Sequence, residues 1–161
     1  MIKTVYHGTT LEFADNIVKN GIDLTIGRKN LDFGQGFYTT ADKTQAVTWA
    51  KRVAYNARPA VRVFKSSFEN LNVKYFPVQN DEWKDVVYQN RILNVDPLMV
   101  YDCVVGPMAD GKIKRLISDV SLNRITKDMF LEIISKGIGS QIVYKTVISL
   151  QCLAYQEIWE V

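Results

Sequence analysis

The stretch Asp32-Phe33-Gly34-Gln35-Gly36-Phe37-Tyr38-Thr39-Thr40 constrains the fold of this chain more than any other. Two glycines at alternate positions let the backbone turn sharply and let another group come close. The aromatic pair Phe37-Tyr38 and the two threonines then predict a short strand. Asp42 stands at the N-cap position of a helix expected over residues 43–55. A glycine loop, a strand carrying an aromatic and a helix can build one wall of a pocket for a flat ligand. The same residues also suit a plain hairpin turn followed by a core strand.

Hydrophobic patterning sets the elements on either side. Residues 3–7 alternate polar and apolar and predict a strand that ends at Gly8. Thr9 or Thr10 caps a helix over 11–19, stopped by Asn20-Gly21. A long polar loop, 22–31, follows, of a length often used for a lid. In the helix over 43–55, Ala46, Val47, Trp49, Ala50, Val53 and Ala54 fall mostly on one face, and Pro59 lies beyond its end. Strands are expected over 60–64, 71–76, 98–105, 140–145 and 152–159. Further helices are expected from Asp81, as cap, through Ile92, over 112–120, and over 126–136 with Thr126 as N-cap and Gly137 and Gly139 as stops. No internal repeat or linker interrupts the pattern. Residues 1–161 therefore read as one α+β domain with a split antiparallel or mixed sheet.

Composition excludes several classes. A chain of 161 residues with 47% apolar and 23% charged residues has the profile of an ordinary globular domain. No run approaches the ~20 apolar residues needed to span a bilayer, and the N-terminus carries no apolar signal block. Cys103 and Cys152 lie far apart in strand-like runs, so they are expected to be buried thiols in a reducing compartment, and the expected location is the cytoplasm. A net charge of +3 is too small to argue nucleic-acid binding by itself. The cations are uneven, however. Arg28-Lys29, Lys51-Arg52, Arg58, Lys112, Lys114 and Arg115 are either solvated surface or a basic rim for a pyrophosphate or polyanionic substrate.

His7 is the only histidine, placed just before Gly8. No Gly-x-Ser-x-Gly elbow accompanies it, and one histidine with two distant cysteines gives no zinc set. Phosphate-loop and dinucleotide glycine fingerprints are absent. Asp32-Phe33-Gly34 matches a kinase tripeptide by chance, since no catalytic loop surrounds it.

Taken together, Tyr6-His7-Gly8-Thr9, then Gly36-Phe37-Tyr38-Thr39-Thr40 and the helix after it, resemble the ADP-ribosyltransferase superfamily. The similar branch is that of diphtheria toxin and the poly(ADP-ribose) polymerases, with its His-Tyr-Glu triad. Asp32-Phe33-Gly34-x-Gly36-Phe37-Tyr38, Gln45-Ala46, Trp49-Ala50, Asp102-x-Val104-x-Gly106-Pro107-x-Ala109-Asp110 and the late strand at Gln141 also resemble an uncharacterised bacterial family assigned to that superfamily. This narrower resemblance covers most of the chain.

The resemblance implies an ADP-ribosyltransferase-like split β-sheet core with flanking helices, NAD as substrate and no metal. It implies that His7 bonds a ribose hydroxyl, that the Gly8 backbone holds the nicotinamide carboxamide, and that Tyr38 stacks on the nicotinamide ring. Thr9, Asp32, Gly36, Phe37 and Thr39 belong to the same implied NAD site. Trp49 matches a second stacking aromatic, against the alternative of a plain core residue. Gln141 stands where the triad has glutamate, so it keeps the hydrogen bond and loses the charge. Asp32, Asp102 and Asp110 are the carboxylates nearest by motif, although turn and loop bonding also suits Asp102 and Asp110. The activity so implied is transfer of ADP-ribose from NAD to a protein or nucleic acid, as in toxins of bacterial toxin–antitoxin or anti-phage systems. A small neutralising partner would accompany it. The alternatives are an NAD glycohydrolase, a non-catalytic module binding NAD, ADP-ribose or RNA, and a 2′-phosphotransferase acting on tRNA, which the single histidine disfavours.

Overall fold

The computed structural model describes residues 2–161. Strand β1 (Ile2–Thr10) runs through Gly8 instead of ending there. Thr10 accepts the Phe13 N–H and caps α1 (Leu11–Asn20). The loop after it leads into β2 (Phe37–Thr39), and Asp42 accepts the N–H groups of Thr44 and Gln45 at the start of α2 (Lys43–Ala54).

The apolar face expected on α2 is narrower than its sequence suggests: Ala46, Ala50 and Ala54 are buried, while Trp49 and Val53 are exposed. The reason lies in β1. A Cβ on Gly8 would stand 2.3 Å from the Ala46 carbonyl oxygen and 3.0 Å from the Ala50 amide nitrogen. Helix backbone lies directly on strand backbone there, and only small residues fit between them.

Next come β3 (Pro59–Ser67), β4 (Val73–Tyr75) and α3 (Asp81–Tyr88). The α3 cap is Asn80, whose side chain accepts the Trp83 N–H at 2.9 Å, not Asp81. A π-helical turn (Gln89–Leu93) extends it. Strand β5 (Cys103–Pro107) begins later than expected, because residues 98–101 form turns that bury Leu98. Helices α4 (Ile113–Ser121) and α5 (Lys127–Ile134), with Thr126 as cap, lead to β6 (Ser140–Tyr144), the single turn α6 (Val147–Leu150) and β7 (Leu153–Glu160).

The strands divide into two sheets, ordered β1-β3-β7 and β2-β6-β5-β4. Among the described residues only the β4–β5 pairing is parallel, so the second sheet is mixed. The sheets are stitched where Tyr6 and Thr40 exchange backbone hydrogen bonds of 2.8 and 2.9 Å. Val5 and Phe64 from the first sheet pack on Phe37, Cys103, Ile142 and Tyr144 from the second. Helix α2 covers the outer face of the first sheet around Val61, while a larger core of Phe33, Phe76, Trp83, Phe130, Ile134 and Val143 fills the other side of the second. Both cysteines are free thiols. Cys103 is buried, which pushes its thiol up to about 12, whereas Cys152 is partly exposed at the turn before β7, contrary to the expectation of two buried thiols. No helix among the described residues is long and apolar enough to cross a membrane.

Candidate functional site

Strand alternation decides which side chains meet. Tyr38 pairs with Val143, and Gln141 lies two residues from Val143 on the same strand. Tyr38, Val143 and Gln141 therefore share one face of the second sheet, and Phe37, Thr39 and Ile142 take the other.

The glycine loop before Tyr38 is clamped from two directions. The Tyr38 hydroxyl donates to the Gly34 carbonyl at 2.7 Å and accepts the Phe33 N–H at 3.1 Å. Burial, and after it the nearby Asp32 charge, push that hydroxyl well above its ordinary pKa, so it stays protonated. From β6, Lys145 donates to the Phe33 and Gln35 carbonyls at 2.6 and 3.0 Å and to Asp96 at 2.8 Å. Gly34 has φ +74°, and a Cβ there would meet Asp96 at 2.1 Å, so the turn requires glycine on both counts.

Asp32 occupies the centre of the site. It is 4% exposed, and both of its oxygens are filled. One takes Arg91 Nε at 2.8 Å and Nη2 at 2.7 Å; the other takes the Ala109 N–H and Gln141 Nε2, each at 3.0 Å. Gln141 Nε2 also donates to the Pro107 carbonyl at 3.2 Å, which accepts the Trp83 indole N–H as well. The segment Gly106-Pro107-x-Ala109 thus supplies two backbone contacts of this cluster. Gln45 completes the support by donating to the Ser140 carbonyl at 2.8 Å and accepting the Ser140 N–H at 3.2 Å, one residue before Gln141.

His7 sits across β2 from this cluster. Its Nδ1 donates to the Tyr38 carbonyl at 2.7 Å, and its ring lies 4.4 Å from that of Phe37. Donation from Nδ1 leaves the Nε2 lone pair for another donor. Burial lowers the imidazole pKa, outweighing the backbone hydrogen bond, so the ring is neutral at pH 7.

The fold brings His7 to Tyr38 and Gln141 to Asp32, and no hydrogen bond joins the two pairs among the described residues. Phe37, Thr9 and Thr39 are buried inside the fold, Thr39 donating its hydroxyl to the Ile142 carbonyl at 3.1 Å. Gly36 backs onto Val143 and the Tyr144 carbonyl. Trp49 is 46% exposed, with the Arg52 guanidinium 5.7 Å from its ring, so it is not a core residue. Asp102 bonds the Asn72 N–H and the Thr146 hydroxyl, and Asp110 bonds the Lys112 N–H, so both serve loops.

Arg91, Lys145 and Asp96 escaped sequence reasoning. Arg91 reaches the 32–36 loop across 59 residues and Lys145 across at least 110, Asp96 holds Lys145, and nothing in their local pattern marks them. Among the described residues no cluster of His, Cys, Asp and Glu has a metal-binding arrangement. A concavity of about 370 Å³ opens beside Thr10, Leu11, Asp15 and Arg58, beyond the end of β1.

Fold and site define an α+β domain of two stitched sheets, with a clamped glycine loop and an Asp–Arg–Gln cluster in which Asp32 and Gln141 are buried. Residues 3–155 match the family described as a protein of unknown function (DUF3990), and the chain belongs to that family. No curated protein matches it.

Proposed function

We propose that this chain is an NAD-dependent ADP-ribosyltransferase built on that superfamily's split-sheet core. The supporting observation is the adjacency of three motifs far apart in sequence. Strand β1, with His7-Gly8, is bridged to β2, with Tyr38, and β2 pairs with β6, with Gln141. In this reading nicotinamide stacks between Tyr38 and Trp49, His7 Nε2 accepts a hydrogen bond from a ribose hydroxyl, and Gln141 accepts one from the reacting ribose. Ring stacking of this kind contributes about 0.5–1.5 kcal/mol beyond area burial. The bond between nicotinamide and ribose C1′ breaks with its electron pair passing to the pyridinium nitrogen, so neutral nicotinamide leaves. Positive charge develops on the sugar, the acceptor nucleophile bonds C1′, and its proton is released. The acceptor is a protein or a nucleic acid, and a small antitoxin-like partner fits the toxin reading.

Nicotinamide release from NAD, with and without cell extract, tests this. The wild type is expected to release nicotinamide when extract supplies the acceptor. Gln141→Ala should lower release by about 10²-fold, the scale for losing one preorganised polar contact. Trp49→Ala, at an exposed position where folding is not at stake, should raise KM several-fold. Absence of both NAD binding and nicotinamide release with every extract would sink the proposal. A second reading, a module that binds NAD, ADP-ribose or RNA without turnover, draws on the neutral side chain at position 141. It predicts NAD binding with no release in wild type and Gln141→Glu alike. Release that needs no extract would make the protein an NAD glycohydrolase.

A further inference from the structure

Position 141 carries an amide surrounded by acceptors. Its neighbours are a carboxylate oxygen of Asp32 at 3.0 Å and the Pro107 carbonyl oxygen at 3.2 Å, and neither can donate. Only one orientation of the carboxamide satisfies both, with Nε2 turned inward. Reversing it would bring three acceptor oxygens together and strand both N–H groups. Nε2 therefore spends both hydrogens inside the cluster, and Oε1, which has no hydrogen bond among the described residues, is turned away from it.

Asp32 cannot rotate away, because Arg91 fills its other oxygen and Ala109 N–H shares the first. Gln45 fixes the backbone beside Gln141 independently. The result is an acceptor oxygen of set direction and no formal charge.

We propose that Asp32, locked by Arg91, is a positioning residue that presents the Gln141 oxygen to the reacting ribose, and that the site is built for a neutral acceptor which glutamate cannot replace. This rests on the NAD reading above for the identity of the ligand, while the Asp32–Gln141 coupling stands on geometry alone. A glutamate at 141 would face Asp32 and the Pro107 carbonyl with no donor between them. Two carboxylates in such contact cannot both ionise easily, and the pair retains a proton to higher pH. The other ionisable groups around position 141 are Arg91, already committed to Asp32, and the protonated Tyr38 hydroxyl. His7 lies against Phe37 across β2, and Lys145 is held by Asp96 behind the loop. None of these supplies a counter-charge to a second carboxylate.

The experiment compares wild type, Gln141→Glu, Asp32→Asn and the double variant Asp32→Asn/Gln141→Glu between pH 5 and pH 9. Thermal unfolding and nicotinamide release are followed for each. Gln141→Glu should lie nearest wild type at pH 5 and lose several further degrees of Tm as pH rises, because the folded state then holds a proton that the unfolded chain gives up. Its nicotinamide release at pH 8 should fall about tenfold or more relative to wild type and recover toward pH 5. The double variant, lacking the carboxylate pair, should show a flat Tm profile. A Gln141→Glu protein with a pH-independent Tm and undiminished release at pH 8 would overturn the proposal. If wild type releases no nicotinamide with any extract, turnover of NAD fails on its own. The Tm profiles then still decide the coupling: a slope that Asp32→Asn removes supports it, and flat profiles overturn it.

Discussion

A buried cation without a full set of partners is costly, and Arg62 is one. It is 1% exposed, and its Nε and Nη2 have no hydrogen-bond partner among the described residues. Nη1 donates to the Tyr155 hydroxyl at 2.5 Å, and the guanidinium lies 3.7 Å from the centre of that ring. Cation–π attraction offsets part of the desolvation, but two unsatisfied donors remain. Arg62→Met keeps the volume and the aromatic contact and removes the charge. It should stabilise the fold by about 1 kcal/mol, which corresponds to a Tm rise of about 2–4 °C for a chain of this size. A fall of similar size in a thermal melt would show that the Tyr155 contacts outweigh the orphaned donors. His7 gives a second test at this scale. Its pKa is lowered by burial, so below pH 6.5 the unfolded chain binds a proton that the folded chain refuses. Stability should be level above pH 6.5 and decline from there until the pH reaches the ring's depressed folded value. His7→Asn should flatten that segment of the profile in urea melts at stepped pH.

Among the elements, the β1–α2 contact is the least forgiving, since two backbones meet at Gly8. Gly8→Ala would set a methyl group 2.3 Å from a helix carbonyl, and backbone cannot yield as a side-chain end can. A loss of about 3 kcal/mol or more is expected, read as a drop in urea midpoint at unchanged slope. Tolerance of alanine would mean that α2 is free to lift off the sheet. The individual elements were legible because their signals are local. Asp42 and Thr126 cap the helices they were expected to cap, and the alternation in β1, β3 and β6 follows from side chains pointing to opposite faces. Errors arose where a distant partner decides. Gly8 reads as a strand end, yet the approach of α2 makes it a strand interior. Trp49 falls on the apolar stripe of α2 by spacing, yet the width of the contact admits only alanines. Asn80 took the cap from Asp81, a one-residue shift that propensity cannot resolve because both side chains cap well. The four-residue α6 is too short to show a period.

For the whole molecule, the decisive relations are long in sequence. Gln141 reaches Asp32 across 109 positions and Arg91 reaches it across 59, so the cluster at the candidate site leaves no trace in local pattern, although its members Asp32 and Gln141 were singled out by motif. The division into two sheets is likewise set by packing between layers. That packing makes a prediction about cooperativity. The first and second sheets share one core through Val5, Phe64, Phe37 and Tyr144, and the Tyr144 hydroxyl donates to the Ser66 hydroxyl on β3 at 2.6 Å. Neither sheet can bury its inner face without the other, so the chain should unfold in a single step. Tyr144→Phe removes the hydroxyl contact between the sheets and leaves Ser66, itself 2% exposed, without that partner. The cost should be about 1 kcal/mol, or about 2–4 °C in Tm, and Ser66→Ala in the same chain should return part of it, because the stranded hydroxyl goes too. Far-ultraviolet circular dichroism, reporting strands and helices, and near-ultraviolet signals, reporting buried aromatics of both cores, should still trace one coincident transition in the variant. A split between them would mean that the sheets are separate folding units joined only at the Tyr6–Thr40 bridge, and that the seam is a hinge instead of a shared core.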